Sequence, residues 1–285
     1  MRYIPPARDA VDPLVFGQLP LAAWRERAGL IEGRDWPSIE TLNACRPAGM
    51  RERFAAQTRA LLADGLHYEQ RIAERGEIAT RENNWHDLFN ALIWLRHPDV
   101  KRALNARQVA EIAHMGPKQR SRAQYALTHF DEAGVIVTLR DPALLALWDP
   151  HDWHGLFWRE RDAWLDGRIH VDVFGHALLE HALRPEQWLV GKAVVLRCSP
   201  RALLEEKPGK WVPRVSATCA QAIHAGQVLL DPLELRPLPL AGIPGWHSGN
   251  GREAFFDESP CFRPARAERS YPMPLACREP LRAAG

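Results

Sequence analysis

Between Thr80 and Arg96 the chain reads TRENNWHDLFNALIWLR. Trp85, Leu88, Phe89, Leu92 and Leu95 recur at intervals of three and four, which draws one apolar face of a helix over 84–95. The remaining sector carries His86, Asp87, Asn90 and Trp94, with no lysine or glutamate between Glu82 and Leu95. A solvated face favours long charged side chains, so this sector is expected to be buried too. The helix is predicted to be covered on most of its circumference.

Helical spacing continues over 99–114 and 118–133, punctuated by Pro98 and by Gly116-Pro117, with Gly134 as the expected C-cap. The β-branched run VIVTL (135–139) and the segments RIHVDVF (168–174) and KAVVLRC (192–198) read as strands. Helical spacing returns in PALLALW, DWHGLFWRERDAWL, GHALLEHAL and ATCAQAIHA. Residues 1–65 read as short helices broken by Pro and Gly, among them WPSIETLNACR with Ser38 as cap. YEQRIAERGEIATR (68–81) alternates around Gly76 and suggests a hairpin, with a helix as the alternative. The pattern therefore predicts a mainly α fold with a small β component (α+β). A single compact domain would end in an irregular wrap rich in Pro and Gly from Leu233 onward. The divisions expected are an N-terminal extension (1–35), one domain (36–266) and a C-terminal tail (267–285).

Charge alters this picture little. Lys+Arg number 37 against Asp+Glu 35, which gives no global electrostatic case for nucleic acid. The one basic cluster, Lys118, Arg120 and Arg122, reads first as a solvated helix face. Five widely spaced cysteines without a C-x-x-C suit reduced thiols better than a disulfide framework or a thiolate zinc site. No secretory h-region and no apolar run long enough for a membrane span occurs, so a soluble, cytoplasmic protein is expected.

Polar residues in apolar surroundings are where chemistry is sought. His86 and Asn90 lie four apart on one flank of the 84–95 helix. A buried group without a partner costs roughly 1–3 kcal/mol, so these must be bonded or ligating. If Asn84 is the N-cap, Asp87 falls at N3, where a carboxylate can instead bond back to the cap. In GHALLEH, His176 and Glu180 share a helix face at i, i+4, a spacing that suits one metal ion or a plain surface hydrogen bond. Asp131 and Glu132 stand together at a helix C-terminus, against the macrodipole. There is no G-x-S-x-G, G-x-G-x-x-G after a strand, Walker-type loop or H-E-x-x-H, so no nucleotide cofactor is expected.

The motifs YEQRIAERGEIATRENNWHDLFNALIWLRHPDVKRALN, LTHFDEAGVIV, LFWRER, VFGHALLEHAL and PLPLAGIPGW…FFDESPCFRP, in this order, resemble the bacterial family called domain of unknown function 3025. The resemblance runs from about Trp36 to Arg266. It implies one family-wide domain and brings no reaction. It marks Thr80, Arg81, Trp85, His86, Asp87, Asn90, Asp131, Glu132, Gly134, Gly175, His176, Glu180, Gly245 and Trp246 as hallmark positions.

Together these residues suggest a metal-dependent hydrolase acting on a small molecule such as a phosphoester. His86, Asp87, His176 and Glu180 would hold a divalent ion, with Asp131 or Glu132 as general base. Arg81 would clamp an anionic group, and Asn90 and Trp94 would line the substrate site. The alternatives are a non-catalytic binding or scaffold protein with a buried polar network and, more weakly, an RNA- or DNA-binding protein.

Overall fold

A computed structural model describes residues 3–116, 119–198 and 208–277, with side chains of 208–211 left aside. Its architecture is α+β, as the sequence pattern predicts. The N-terminal third is built from short pieces: helical turns, α1 (Ala28–Ile31), α2 (Ile39–Ala44) and strand β1 (Arg53–Ala56). Ser38 caps α2 by accepting from the Thr41 N–H at 3.2 Å. Val15, Leu21, Trp24 and Ile31 from this third are buried in the same apolar cluster as the rest of the chain.

The hairpin suggested for 68–81 does not form. Its first half is helix α3 (Tyr68–Arg75), ended by Gly76 at φ +64, and its second half is strand β2 (Glu77–Thr80). Glu, Gln and Arg hold the helix, and Arg71 and Ile72 give it a buried face. β2 pairs in parallel with β1, a segment whose sequence reads only as broken helix.

α4 (Trp85–Arg96) and α5 (Pro98–Met115) follow as expected, while α6 (Arg122–Ala133) starts at Arg122 rather than at 118, which lies outside the described residues. Asn84 caps α4 by accepting from the Asp87 N–H at 3.0 Å, Pro98 occupies the first turn of α5, and a Ser121/Gln124 capping box starts α6. No residue of α4 is exposed, and Trp94 is only 1% accessible, as its two-sided pattern requires.

A second sheet carries β3 (Gly134–Leu139), β4 (Ile169–Val173), β5 (Val190–Arg197), β6 (Arg236–Pro239) and β7 (Leu275–Ala276). β3 is buried throughout, antiparallel to β4 and parallel to β5. β6 pairs with the first half of β5 and β7 with its end, so the C-terminal wrap contributes two strands as well as loops. The short helices α7 (Leu145–Trp148) and α8 (Arg161–Leu165) lie between β3 and β4, α9 (His176–His181) follows β4, and α10 (Pro208–His224) follows β5. Among the described residues no helix is long and apolar enough to cross a membrane.

Candidate functional site

Two glycines bring the end of α6 against the start of α9. Gly134 caps α6 at φ −68, so left-handed backbone is not the reason for glycine there. Space is the reason: a Cβ on Gly134 would lie 2.2 Å from the Phe130 carbonyl oxygen, and one on Gly175 would lie 2.5 Å from Ala133 Cα. The backbones are joined directly, with Phe174 N–H and Gly175 N–H both donating to Gly134 O at 3.0 and 2.7 Å. This seam sets Asp131 and Glu132, in the last turn of α6, beside His176 at the first position of α9.

α4 delivers the third partner. His86 Nε2 lies 3.0 Å from His176 Nε2, with the ring planes at 81°. Glu132 Oε2 is 3.5 Å from His176 Nε2 and 4.0 Å from His86 Nε2. Bonds of roughly 2.0–2.2 Å at a tetrahedral angle put ligand atoms about 3.4 Å apart, so the three atoms fit one divalent ion. His86, Glu132 and His176 offer ligand atoms that all lie within 4.8 Å of one another.

The second nitrogen of each ring is also placed. His86 Nδ1 hydrogen-bonds Glu180 Oε2 at 2.9 Å, and with Nδ1 as donor the Nε2 lone pair is presented to the group. His176 Nδ1 is buried and faces Asp131, 4.0 Å from Oδ2. Burial works against a charged His86, but the bond to Glu180 and the nearby Glu132 carboxylate outweigh it and raise its pKa. Burial dominates at His176, pushing it down to about 3 and keeping the ring neutral, as a ligand must be. Glu132 is raised by burial, against the pull of His86.

The expected ligand set therefore needs correction. His86 and His176 converge although 90 positions separate them, but the carboxylate that joins them is Glu132. Glu180 reaches past the group to orient His86 from behind, because the side chain at i+4 from His176 is aimed at the α4 ring. Asp87 is drawn away by Arg81. Its Oδ1 accepts from Arg81 Nη2 at 2.7 Å, and its Oδ2 from the Arg81 backbone N–H at 2.6 Å. That pairing closes the turn before α4 and occupies the guanidinium expected to clamp an anion.

A cavity of about 500 Å³ opens beside the group, lined from α3, α4, α5 and α6 and including Tyr68, Glu69, Arg81, Lys101, Asp131 and Arg120. Lys101 is its buried cation, and nothing in a lysine on an ordinary helical stretch marks it in the sequence. Its ammonium donates to Asp131 Oδ1 at 2.6 Å and Asn90 Oδ1 at 2.8 Å, and stands 5.6 Å from the Trp94 ring centre. Asn90 in turn donates to Tyr68 Oη at 2.9 Å. Asn90 and Trp94, expected to touch substrate, are thus committed to holding Lys101. Burial opposes ionisation of Asp131, but Lys101 overcomes it and holds its pKa below the ordinary carboxylate range, which makes it a weak base. Glu69, gripped by Asn105 Nδ2 at 2.5 Å, is raised by burial despite that bond.

Residues 52–266 match the family model described as Protein of unknown function (DUF3025). The chain belongs to this family. No curated protein and no solved structure matches it. The matched span contains every member of the histidine–glutamate group and the glycine seam that positions it.

Among the described residues no other histidine, cysteine and carboxylate group brings its ligand atoms together in this way. Lys118 lies outside the described residues, Arg120 and Arg122 are exposed, and Arg122 is ion-paired with Asp231. His97, just past α4, bonds Ser216 Oγ through Nδ1 at 2.7 Å and lies 3.2 Å from Asp172 through Nε2. In this serine–histidine–aspartate set His97 and Ser216 are buried, and none of the three lines the cavity beside His86.

Proposed function

We propose that this DUF3025 chain is a metal-dependent hydrolase in which His86, His176 and Glu132 hold a divalent ion. The observation that carries the reading is the convergence of two imidazole nitrogens and one carboxylate oxygen, from three different helices, on the wall of a large polar cavity. Two histidines and a glutamate are a known donor set of hydrolytic zinc sites. A divalent ion held there would lower the pKa of a water molecule and polarise the bond under attack.

The chain's own residues supply the rest. Glu180 fixes the His86 tautomer. Lys101 neutralises Asp131 and keeps it directed toward His176. Glu69, with its raised pKa, replaces Asp131 as the lining carboxylate best suited to move a proton. With neutral histidines the lining sets Arg81, Lys101 and Arg120 against Glu69, Asp87, Asp131 and Glu132, a slight negative excess. A bound divalent ion would reverse that sign, which suits a phosphoester.

The test is metal content of the protein as purified, followed by thermal melts with added Zn²⁺ or Mn²⁺. One equivalent of metal, lost in His86→Ala and His176→Ala, is expected. Absence of metal and of any stabilisation by either ion would favour the second reading, a non-catalytic protein rigidified by the Lys101–Asn90–Tyr68 and Lys101–Asp131 network.

A further inference from the structure

At the end of β5, outside the histidine group, two cysteines stand side by side. Leu196 pairs with Leu275 and Arg197 with Ala276 in parallel register, so the next step along both strands sets Cys198 opposite Cys277. The backbone stays ordered through that step: Cys277 N–H donates to Arg197 O at 2.8 Å, and Cys198 N–H donates to Leu139 O at 2.8 Å. Side chains alternate along strands, so the two thiols share one face. Paired strands lie about 4.8 Å apart, inside the Cα separation of roughly 4.4–6.8 Å that a disulfide spans. The thiols are in contact, with a hydrogen bond between them.

We propose that Cys198 and Cys277 form a disulfide by exchange with a low-molecular-weight disulfide such as oxidised glutathione, pinning β7 to β5. Cys277 is half-buried and Cys198 is buried, which sets the order of events. The Cys277 thiolate attacks one sulfur of the external disulfide. That S–S bond breaks, and the departing thiolate takes up a proton. The Cys198 thiolate then attacks the Cys277 sulfur of the mixed disulfide, and the second external thiol leaves. Two protein thiols are oxidised and one external disulfide is reduced to two thiols.

The surroundings favour this sequence. The bond to Cys277 and burial hold the Cys198 thiol well above the ordinary range, while Arg214 and Arg140 act in the opposite direction. In the mixed disulfide Cys277 carries no thiol and no charge, so its opposition disappears and only burial is left to oppose the two arginines. The closed bond would bracket α10, β6 and the wrap in one covalent loop. Nothing in this depends on the metal reading.

The experiment treats the intact chain with oxidised glutathione, alkylates the remaining thiols and maps peptides without reduction. The expected product is a peptide pair linking Cys198 to Cys277, lighter by two hydrogens and reopened by dithiothreitol. Half-buried Cys45, with no thiol opposite it, should yield at most a glutathione adduct. Cys198→Ser should leave a lasting adduct on Cys277, and Cys277→Ser should leave Cys198 open to alkylation after unfolding. A persistent adduct on Cys277 of the unmutated chain, or reaction at Cys45 with none at Cys277, would overturn the proposal.

Discussion

Two histidines bracket α4, and their surroundings differ in one respect. His97, at the C-terminal end, has both ring nitrogens set against local groups, Ser216 and Asp172, and is 1% exposed. His86, at the N-terminal end, gives Nδ1 to Glu180 and turns Nε2 toward His176, Glu132 and a cavity of about 500 Å³. Both clusters set an imidazole against a carboxylate. A histidine whose two nitrogens are held from within ties elements together, whereas one with a single nitrogen directed into a cavity can serve a ligand.

Replacing each histidine by alanine puts this contrast at risk most directly. His86→Ala should weaken metal binding by about a thousandfold or more, near 4 kcal/mol, since one of three ligands is gone. Its fold should persist, because the ring stands at a cavity wall. His97→Ala should leave metal content intact and lower unfolding free energy by about 2–4 kcal/mol, because Ser216 and Asp172 lose a buried partner. Chemical denaturation and metal analysis of both variants read the two effects. Exchange of these outcomes between the variants would dissolve the distinction.

Glu180→Gln sharpens the comparison on the cavity side. Loss of a carboxylate behind a ligand histidine should reduce metal affinity about 10- to 100-fold without abolishing it, as competition with a chromogenic chelator would measure. An unchanged affinity would show that Glu180 does not orient the ring.

The contrast extends to the pH dependence of the metal-free protein, where each single pH unit carries only a small change. His176 is held down to about 3 from its ordinary 6.5, so the stability tied to its neutral ring is present above 6.5 and is lost as pH falls toward 3. His86 is raised, so its contribution is complete below 6.5 and is lost as pH rises through its folded value. The advantage of the parent chain over His176→Asn should therefore shrink on acidification, and that over His86→Asn on alkalinisation. Neither slope can exceed ~1.4 kcal/mol per pH unit for one proton. Parallel slopes for the two variants would contradict the assignment.

Much of this could be read from the chain itself. α4 announces its two-sided burial through Trp85 and Trp94 at opposed azimuths, and β3, β4 and β5 through their β-branched runs. The parallel pairing of β1 with β2 could not be read, because Arg53–Ala56 is four residues long and acquires strand character only beside Glu77–Thr80. Within the site, His86 and His176 were legible as candidate ligands on two helices. The roles of Glu132 and Glu180 were not, since i, i+4 spacing states proximity on a helix but not which neighbour a flexible carboxylate will meet. Lys101 carries no local mark; its importance arises only where α5 crosses the ends of α4 and α6.

The seam between Gly134 and Gly175 has a mechanical consequence. Glu132 and His176 are separated by a backbone contact with no side chain between them, and that contact is continuous with the β3–β4 ladder. Their mutual distance is thereby indexed to the register of a buried sheet. Any widening of the cavity to admit a substrate must fall on the other wall, where α3, α4 and α5 meet through side chains such as Tyr68, Asn90 and Lys101. One half of the site behaves as an anvil, and its adjustability resides in the half that carries His86.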